Sequence, residues 1–321
     1  MALNLNSSPY YDDFDGTKNY NRVLFKPGVA VQARELTQLQ TALSDQISQL
    51  GSFTLKEGAI ISGCEEKITS IPYIKVTDSD FDGDPIANSS LVNYVGATLI
   101  GGTSGLKARV LTTKTGSTTD SPDTKTLYIS YVDQGTNTAG ELEFTMGETL
   151  TVDSDDSTIN GDTFVVYNSS TAAVGTRQRY AGVAPYLTLS PGIIYAVGTF
   201  IRTEEISVFV DDYTPLADKK VGFLVTQQIK QSSDDNTLLD PARGSFNFNA
   251  PGADRLQHVV SLASYKNTAD VPENFFQYAS WEFGKIVRTK IKTDPLGALS
   301  SVLAGRSYDT NGNYTVEGLQ C

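Results

Sequence analysis

Leu187-Thr188-Leu189-Ser190-Pro191-Gly192-Ile193-Ile194-Tyr195-Ala196-Val197-Gly198-Thr199-Phe200-Ile201-Arg202-Thr203-Glu204 sets two apolar runs on either side of the turn Ser190-Pro191-Gly192. Branched and aromatic residues, which fit a pleated and half-buried surface, fill both runs, while Pro191 and Gly192 punctuate them. The stretch reads as strand, turn, strand. The same texture extends outward in both directions, through ISVFVDDY (206–213), KVGFLVTQQI (220–229), HVVSLASYK (258–266) and FFQYASWEFGKIVR (275–288). Alternation of Val208 and Val210 with Phe209 is compatible with a strand buried on both faces. Upstream, AIISG (59–63), KITSI (67–71) and YIKVT (73–77) predict a β-meander. Residues 87–168 carry shorter strands, LVNYVGATLI, LKARVLTT, TLYISYV, ELEFTM and TFVVY, between connections rich in Gly, Ser, Thr and Asp.

One segment departs from this texture. Over residues 33–50 the apolar positions Leu36, Leu39, Leu43, Ile47 and Leu50 recur at helical spacing, with Gly51 placed as a C-cap. Leu36, Leu39, Leu43 and Leu50 also fit a and d positions of a heptad, with Gln46 as a polar d residue. Two placements stay open: a short oligomeric seam, or packing against the chain's own sheet. The expected fold is mainly β with one N-terminal α-helix, built from several small sandwich-like or barrel-like β-modules in an elongated chain. A second, minor helix is expected over residues 295–305, and Asn311-Gly312 signals a closing hairpin. The expected organisation is an extended N-terminal docking arm (1–22), a helix with the β-meander (23–86), an inserted small all-β module (87–170) and a β-rich C-terminal domain (171–321). In the arm, Tyr10, Tyr11, Phe14 and Tyr20 argue for docking, because aromatic side chains are costly to leave wet in numbers.

Composition narrows the function. The 321 residues carry 25 basic and 37 acidic side chains, a formal charge of −12 that repels a phosphate backbone, so no nucleic-acid partner is expected. Two cysteines, Cys64 and Cys321, give neither a disulfide framework nor a metal-ligand spacing. The N-terminal stretch MALNLNSSPYYDDFDG lacks the basic start and apolar core of a signal peptide, and no run approaches the ~20 apolar residues that span a bilayer, so no membrane insertion is expected.

Catalytic signals are weak. The sole histidine, His258, lies between apolar residues in LQHVVSL and reads as a strand histidine with a structural hydrogen bond; neither GxSxG nor GxxxxGK[ST] occurs. The acidic run Asp78-Ser79-Asp80-Phe81-Asp82-Gly83-Asp84 lacks the closing glutamate of a calcium loop and reads as a solvated turn. Residues 235–255, rich in turn residues beside aromatic ones, read as a long ordered loop. No catalytic residue, cofactor or metal site is expected.

Two passages carry a resemblance. Asn19-Tyr20-Asn21-Arg22-Val23-Leu24-Phe25-Lys26-Pro27-Gly28-Val29-Ala30-Val31-Gln32-Ala33-Arg34-Glu35-Leu36-Thr37-Gln38-Leu39-Gln40 is the first; the second is Ala250-Pro251-Gly252-Ala253-Asp254-Arg255-Leu256, followed at a distance by Ser307-Tyr308-Asp309-Thr310-Asn311-Gly312-Asn313-Tyr314-Thr315-Val316. Together they resemble a family of phage virion proteins, carried especially by contractile-tailed phages of cyanobacteria, whose shared domain has no assigned activity. The resemblance implies a baseplate or tail-fibre connector that assembles in the host cytoplasm into the virion tail, as a homotrimer and with other tail or baseplate proteins. Relatives tend to continue beyond the position of Cys321, which favours a connector over a distal adhesin. Receptor binding through the loops of residues 87–170 is the alternative expectation, and a polysaccharide-degrading tail enzyme a more distant one. The residues expected to meet partners are Leu36, Leu39, Leu43, Ile47, Leu50, Tyr10, Tyr11, Phe14 and Tyr20.

Overall fold

A computed structural model describes residues 3–116, 124–134, 142–168 and 180–289, with Arg306 and Thr310. The expected helix at 295–305 and hairpin at Asn311-Gly312 lie outside the described residues. The protein is mainly β, with antiparallel sheets and one α-helix. In chain order the elements are α1 (Ala33–Thr54), β1 (Ala59–Gly63), β2 (Glu66–Lys75), β3 (Thr98–Gly101), β4 (Lys107–Lys114), β5 (Thr126–Asp133), β6 (Thr149–Asp153), β7 (Thr163–Val165), β8 (Ala181–Leu189), β9 (Gly192–Ala196), β10 (Thr199–Thr203), β11 (Ile206–Phe209), β12 (Lys219–Lys230), β13 (Arg255–Lys266), β14 (Phe275–Glu282) and β15 (Lys285–Thr289). They divide into two compact units, one made of Met1–Lys67, Thr188–Val208 and Asp218–Cys321, the other of Ile68–Leu187 and Phe209–Ala217.

The second unit is built on a closed barrel. Hydrogen-bonded order runs β11-β8-β2-β5-β4-β3-β6-β7, and the bridge Val76↔Val166, just past the ends of β2 and β7, closes the six strands from β2 to β7 on themselves. Thr77 N donates to Val165 O at 2.9 Å and Tyr167 N to Lys75 O at 2.8 Å across that closure. Closure removes the exposed edges that an open sheet of such short strands would present. Every strand contributes to one core, from Ile74, Leu99, Val110 and Leu127 to Leu150 and Phe164, all with 1% or less of their surface exposed. Outside the barrel wall, Tyr73 and Tyr128 pack with Phe209 and Tyr213, and the buried Lys75 ammonium lies 4.1 Å from the centre of the Tyr213 ring.

The other unit holds α1 and two sheets, β1-β9-β10 and β13-β12-β14-β15. Residues 187–204 form the end of β8, then β9 and β10. The expected β-meander over residues 58–76 does not form. Its first strand pairs antiparallel with β9, as in Ala59↔Tyr195, while KITSI and YIKVT merge into the single strand β2, which belongs to the barrel. Pro72 does not split β2, because it falls just before the stretch Tyr73–Lys75 that pairs with β5. Of two further expected strands, LVNYVGATLI forms only in its second half, as β3, and ELEFTM does not form among its described residues. Leu91–Tyr94 is a 3-10 turn that Gly96 ends at a φ of 92°, and residues 142–146 are irregular although Phe144 is fully buried.

Gly51 does not cap the helix, which runs on to Thr54. Its role is close approach: a Cβ at position 51 would stand 2.3 Å from Cε2 and 2.5 Å from Cζ of Tyr195. That ring is fully buried, and its hydroxyl donates to Ser48 O at 2.9 Å. Mid-helix alanine ordinarily gains about 1 kcal/mol over glycine. Here we expect Gly51→Ala to lose about 1–3 kcal/mol through overpacking, seen as a lower unfolding midpoint; a variant as stable as the parent would show that Tyr195 yields freely.

Candidate functional site

The helix α1 is mounted inside out. Its small and polar side chains face the chain's own residues, and its leucines face solvent. Thr41 Oγ1 donates to Asp12 Oδ2 at 2.5 Å, Arg34 Nη1 to Asp13 Oδ2 at 3.2 Å, and the Gln38 amide to Asp13. Ala42 is buried on the same side, and near the C-terminal end Ser48 and Gly51 meet Tyr195. At the N-terminus the Glu35 carboxylate accepts from Gln32 N at 2.9 Å, placing negative charge where the helix dipole favours it.

Leu36, Leu39, Leu43, Ile47 and Leu50 are therefore exposed, from 39% at Ile47 to 67% at Leu50. Packing against the chain's own sheet, one of the two placements the sequence allowed, is not what this stripe does. A surface helix normally turns its apolar stripe inward. One residue was missed by the sequence reading: Phe53, three positions beyond Leu50 on the same row and 88% exposed. The heptad count would have found it, had Gly51 not been read as the end of the helix. The connector before α1 adds Leu24, Phe25, Val29 and Val31, all exposed and outside regular structure.

The N-terminal arm docks on its own chain. Tyr10 donates to Asp254 Oδ2 at 2.5 Å, a hydrogen bond that raises the phenol pKa, and Leu3 N donates to Gln227 Oε1 at 2.9 Å. Asp12 is buried and Phe14 half-buried, whereas Tyr11 and Tyr20 stay exposed. Of the four arm aromatics, Tyr10 and Phe14 thus serve mainly in cis. A cleft of about 290 Å³ lies between arm and helix, lined by Phe14, Lys18, Arg22, Arg34, Gln38 and others.

The turn-rich segment at 235–255 is an ordered loop. The bridge Leu239↔Pro251 and the hydrogen bonds Asp240 N to Ala250 O and Asn249 N to Asp240 O, both 3.0 Å, pinch its base. Asp235 accepts from Thr237 N at 2.9 Å, and Asp240 from Ala242 N at 2.8 Å, so these carboxylates shape turns. Phe246 stands fully exposed at the tip.

His258 pairs across the sheet with Gln227, their Nε2 atoms 2.9 Å apart, and burial lowers its pKa. In the acidic run, Asp78 pairs with Lys125 at 2.7 Å while the Asp80 side chain accepts from Asp84 N at 2.8 Å. Among the described residues no group of three or more His, Cys, Asp or Glu could hold a metal, and no helix is long and apolar enough to cross a membrane.

Compared with known families, residues 8–80 and 171–321 match the family described as Domain of unknown function (DUF4815). The match includes the connector, α1 and β2 but leaves out residues 81–170, which hold barrel strands β3 to β7. No curated protein and no solved structure matches the chain.

Proposed function

The chain belongs to the family Domain of unknown function (DUF4815), and from that premise we propose that it is a structural subunit of a bacteriophage tail, a baseplate or tail-fibre connector that works by assembling. The motifs at 19–40 and 250–256, with their likeness to phage virion proteins, support the tail assignment. The observation that carries assembly is the outward leucine stripe of α1. Each fully buried Leu or Phe is worth roughly 1.5–3 kcal/mol relative to exposure. A stripe left in water forgoes that gain, and covering it with another chain recovers it.

The arrangement proposed is a homotrimer with the α1 helices about a threefold axis, joined in the virion to other tail or baseplate proteins. Closed cyclic symmetry lets one self-complementary surface be used by every copy. The reading needs no substrate turnover and no cofactor. Its test is the mass of the purified protein in solution by light scattering. With 34.6 kDa per chain, a trimer is readily told from a monomer. A monomer at all accessible concentrations would refute self-assembly through α1.

A further inference from the structure

We propose that the α1 helices of separate copies meet parallel and in register, with Gln46 of each copy facing Gln46 of its neighbours; this rests on the assembly reading above and specifies its geometry.

The row Leu36, Leu39, Leu43, Gln46, Leu50 and Phe53 follows the a and d positions of successive heptads, and every member is exposed. Gln46 is its one polar member. Covered by an unlike apolar surface, its amide would lose hydrogen bonds to water and gain none, a costly burial. An amide both donates and accepts, so it can pair with a copy of itself. Among parallel pairs and antiparallel pairs that overlap the whole row, only one alignment brings this about. In an antiparallel pair with the rows fully overlapped, Leu36 lies beside Phe53 and Gln46 beside Leu43. A slip of one heptad in a parallel pair sets Gln46 against Leu39 or Phe53. Of these alignments, parallel, in-register packing alone puts Gln46 against Gln46, and a single polar layer is a known device for fixing register at some cost in stability.

Charge favours a second copy as the occupant. The chain carries −12 overall, so identical copies repel over most orientations. The charged side chains of α1 are Arg34, Glu35 and Asp45, and each is engaged within its own chain, by Asp13, Gln32 and Gln49 respectively. Beside the row stand Gln40, Ala42, Ile47 and Gln49, which are neutral, and one acid, Glu35, whose counterpart in a parallel, in-register neighbour is the neutral Gln40. Two copies therefore meet here without like-charge opposition, and a charged partner finds no counter-ion.

Area extends the interface beyond the helix. A helix of 22 residues is about 33 Å long at 1.5 Å per residue, and a seam ~10 Å wide along it covers on the order of 300 Å². Stable interfaces take roughly 800 Å² per partner. The exposed connector residues Leu24, Phe25, Val29 and Val31, which precede the helix in the chain, offer more apolar surface for the same interface.

The test uses full-length chains in a Cys321→Ser background, where the remaining Cys64 is buried. Phe53→Cys and Leu36→Cys are oxidised separately and as a mixture, and their masses are measured alongside. Each variant is expected to remain oligomeric and to form disulfide-linked pairs of chains with itself. An oligomer in which neither variant links to itself, while the mixture links Leu36→Cys to Phe53→Cys, would overturn the parallel geometry and leave assembly standing. Monomeric protein in both the variants and the parent would remove both.

Discussion

Replacing Glu148 with alanine is expected to destabilise the barrel unit by about 3–5 kcal/mol, among the larger losses that one substitution produces. Only 3% of this residue is exposed, yet its carboxylate is fully employed. Oε1 accepts from Thr103 N at 2.8 Å, Ser104 N at 2.6 Å and Ser104 Oγ at 2.8 Å, while Oε2 accepts from Thr145 N at 2.7 Å. One side chain thus holds the turn between β3 and β4 and the approach to β6. Removing it takes the acceptor from three backbone N–H groups: that of Ser104 is buried and left unsatisfied, at about 1–3 kcal/mol, while those of Thr103 and Thr145 belong to exposed residues and lose hydrogen bonds to a charged acceptor. Gly101 belongs to the same arrangement, since a Cβ there would stand 2.4 Å from Oε1. Glu148→Gln keeps the shape but offers one acceptor oxygen instead of two, so its loss should fall between the parent and alanine. Denaturant unfolding followed by near-ultraviolet circular dichroism gives the comparison. An alanine variant within about 1 kcal/mol of the parent would mean that water replaces the carboxylate and the turn is not organised by it.

Glu148 also illustrates what a single sequence hides. It stands in Met146-Gly147-Glu148-Thr149, and nothing local distinguishes it from the other acidic residues of the chain; its importance comes from a turn more than 40 positions away. Barrel closure is hidden for the same reason, because Val76 and Val166 look like ordinary strand residues until the chain between them has folded. The β1 strand was legible as a strand but not as a neighbour of β9, since alternation reports which faces are apolar and not which edge is paired. The strand content, the helix and the turn at Ser190-Pro191-Gly192 were legible because local composition and period encode them.

The helix shows the limit most clearly. A 3.6-residue period locates an apolar side, yet it leaves open whether that side is covered by the same chain. The deciding information lay on the opposite face, in Gln38, Thr41, Ser48 and Gly51, whose partners Asp13, Asp12 and Tyr195 are distant in sequence. Reading Gly51 as a helix end hid Phe53, although the same glycine is what lets the helix approach Tyr195 and continue.

The Leu39→Asp, Leu43→Asp double variant is therefore expected to be monomeric at concentrations where the parent assembles, with little change in the unfolding of the single chain. Leu39 and Leu43 are 45% and 57% exposed within their own chain, so an aspartate at either position meets water in the monomer. In the proposed seam the same carboxylates would be desolvated and would face their counterparts in neighbouring copies, where like charges oppose and no Lys or Arg stands nearby on α1 to offset them. Loss of two buried leucines per chain adds roughly 1.5–3 kcal/mol for each. Together these exceed what an interface of modest area can tolerate, and a shift of every 1.4 kcal/mol changes the dissociation constant tenfold. Val132→Asp, at another exposed apolar position (67%) in the barrel unit, is the control and should leave the mass unchanged. If the double variant kept the parental mass, assembly would have to run through a different surface, and the exposed Phe246 of the ordered loop would become the next position to substitute.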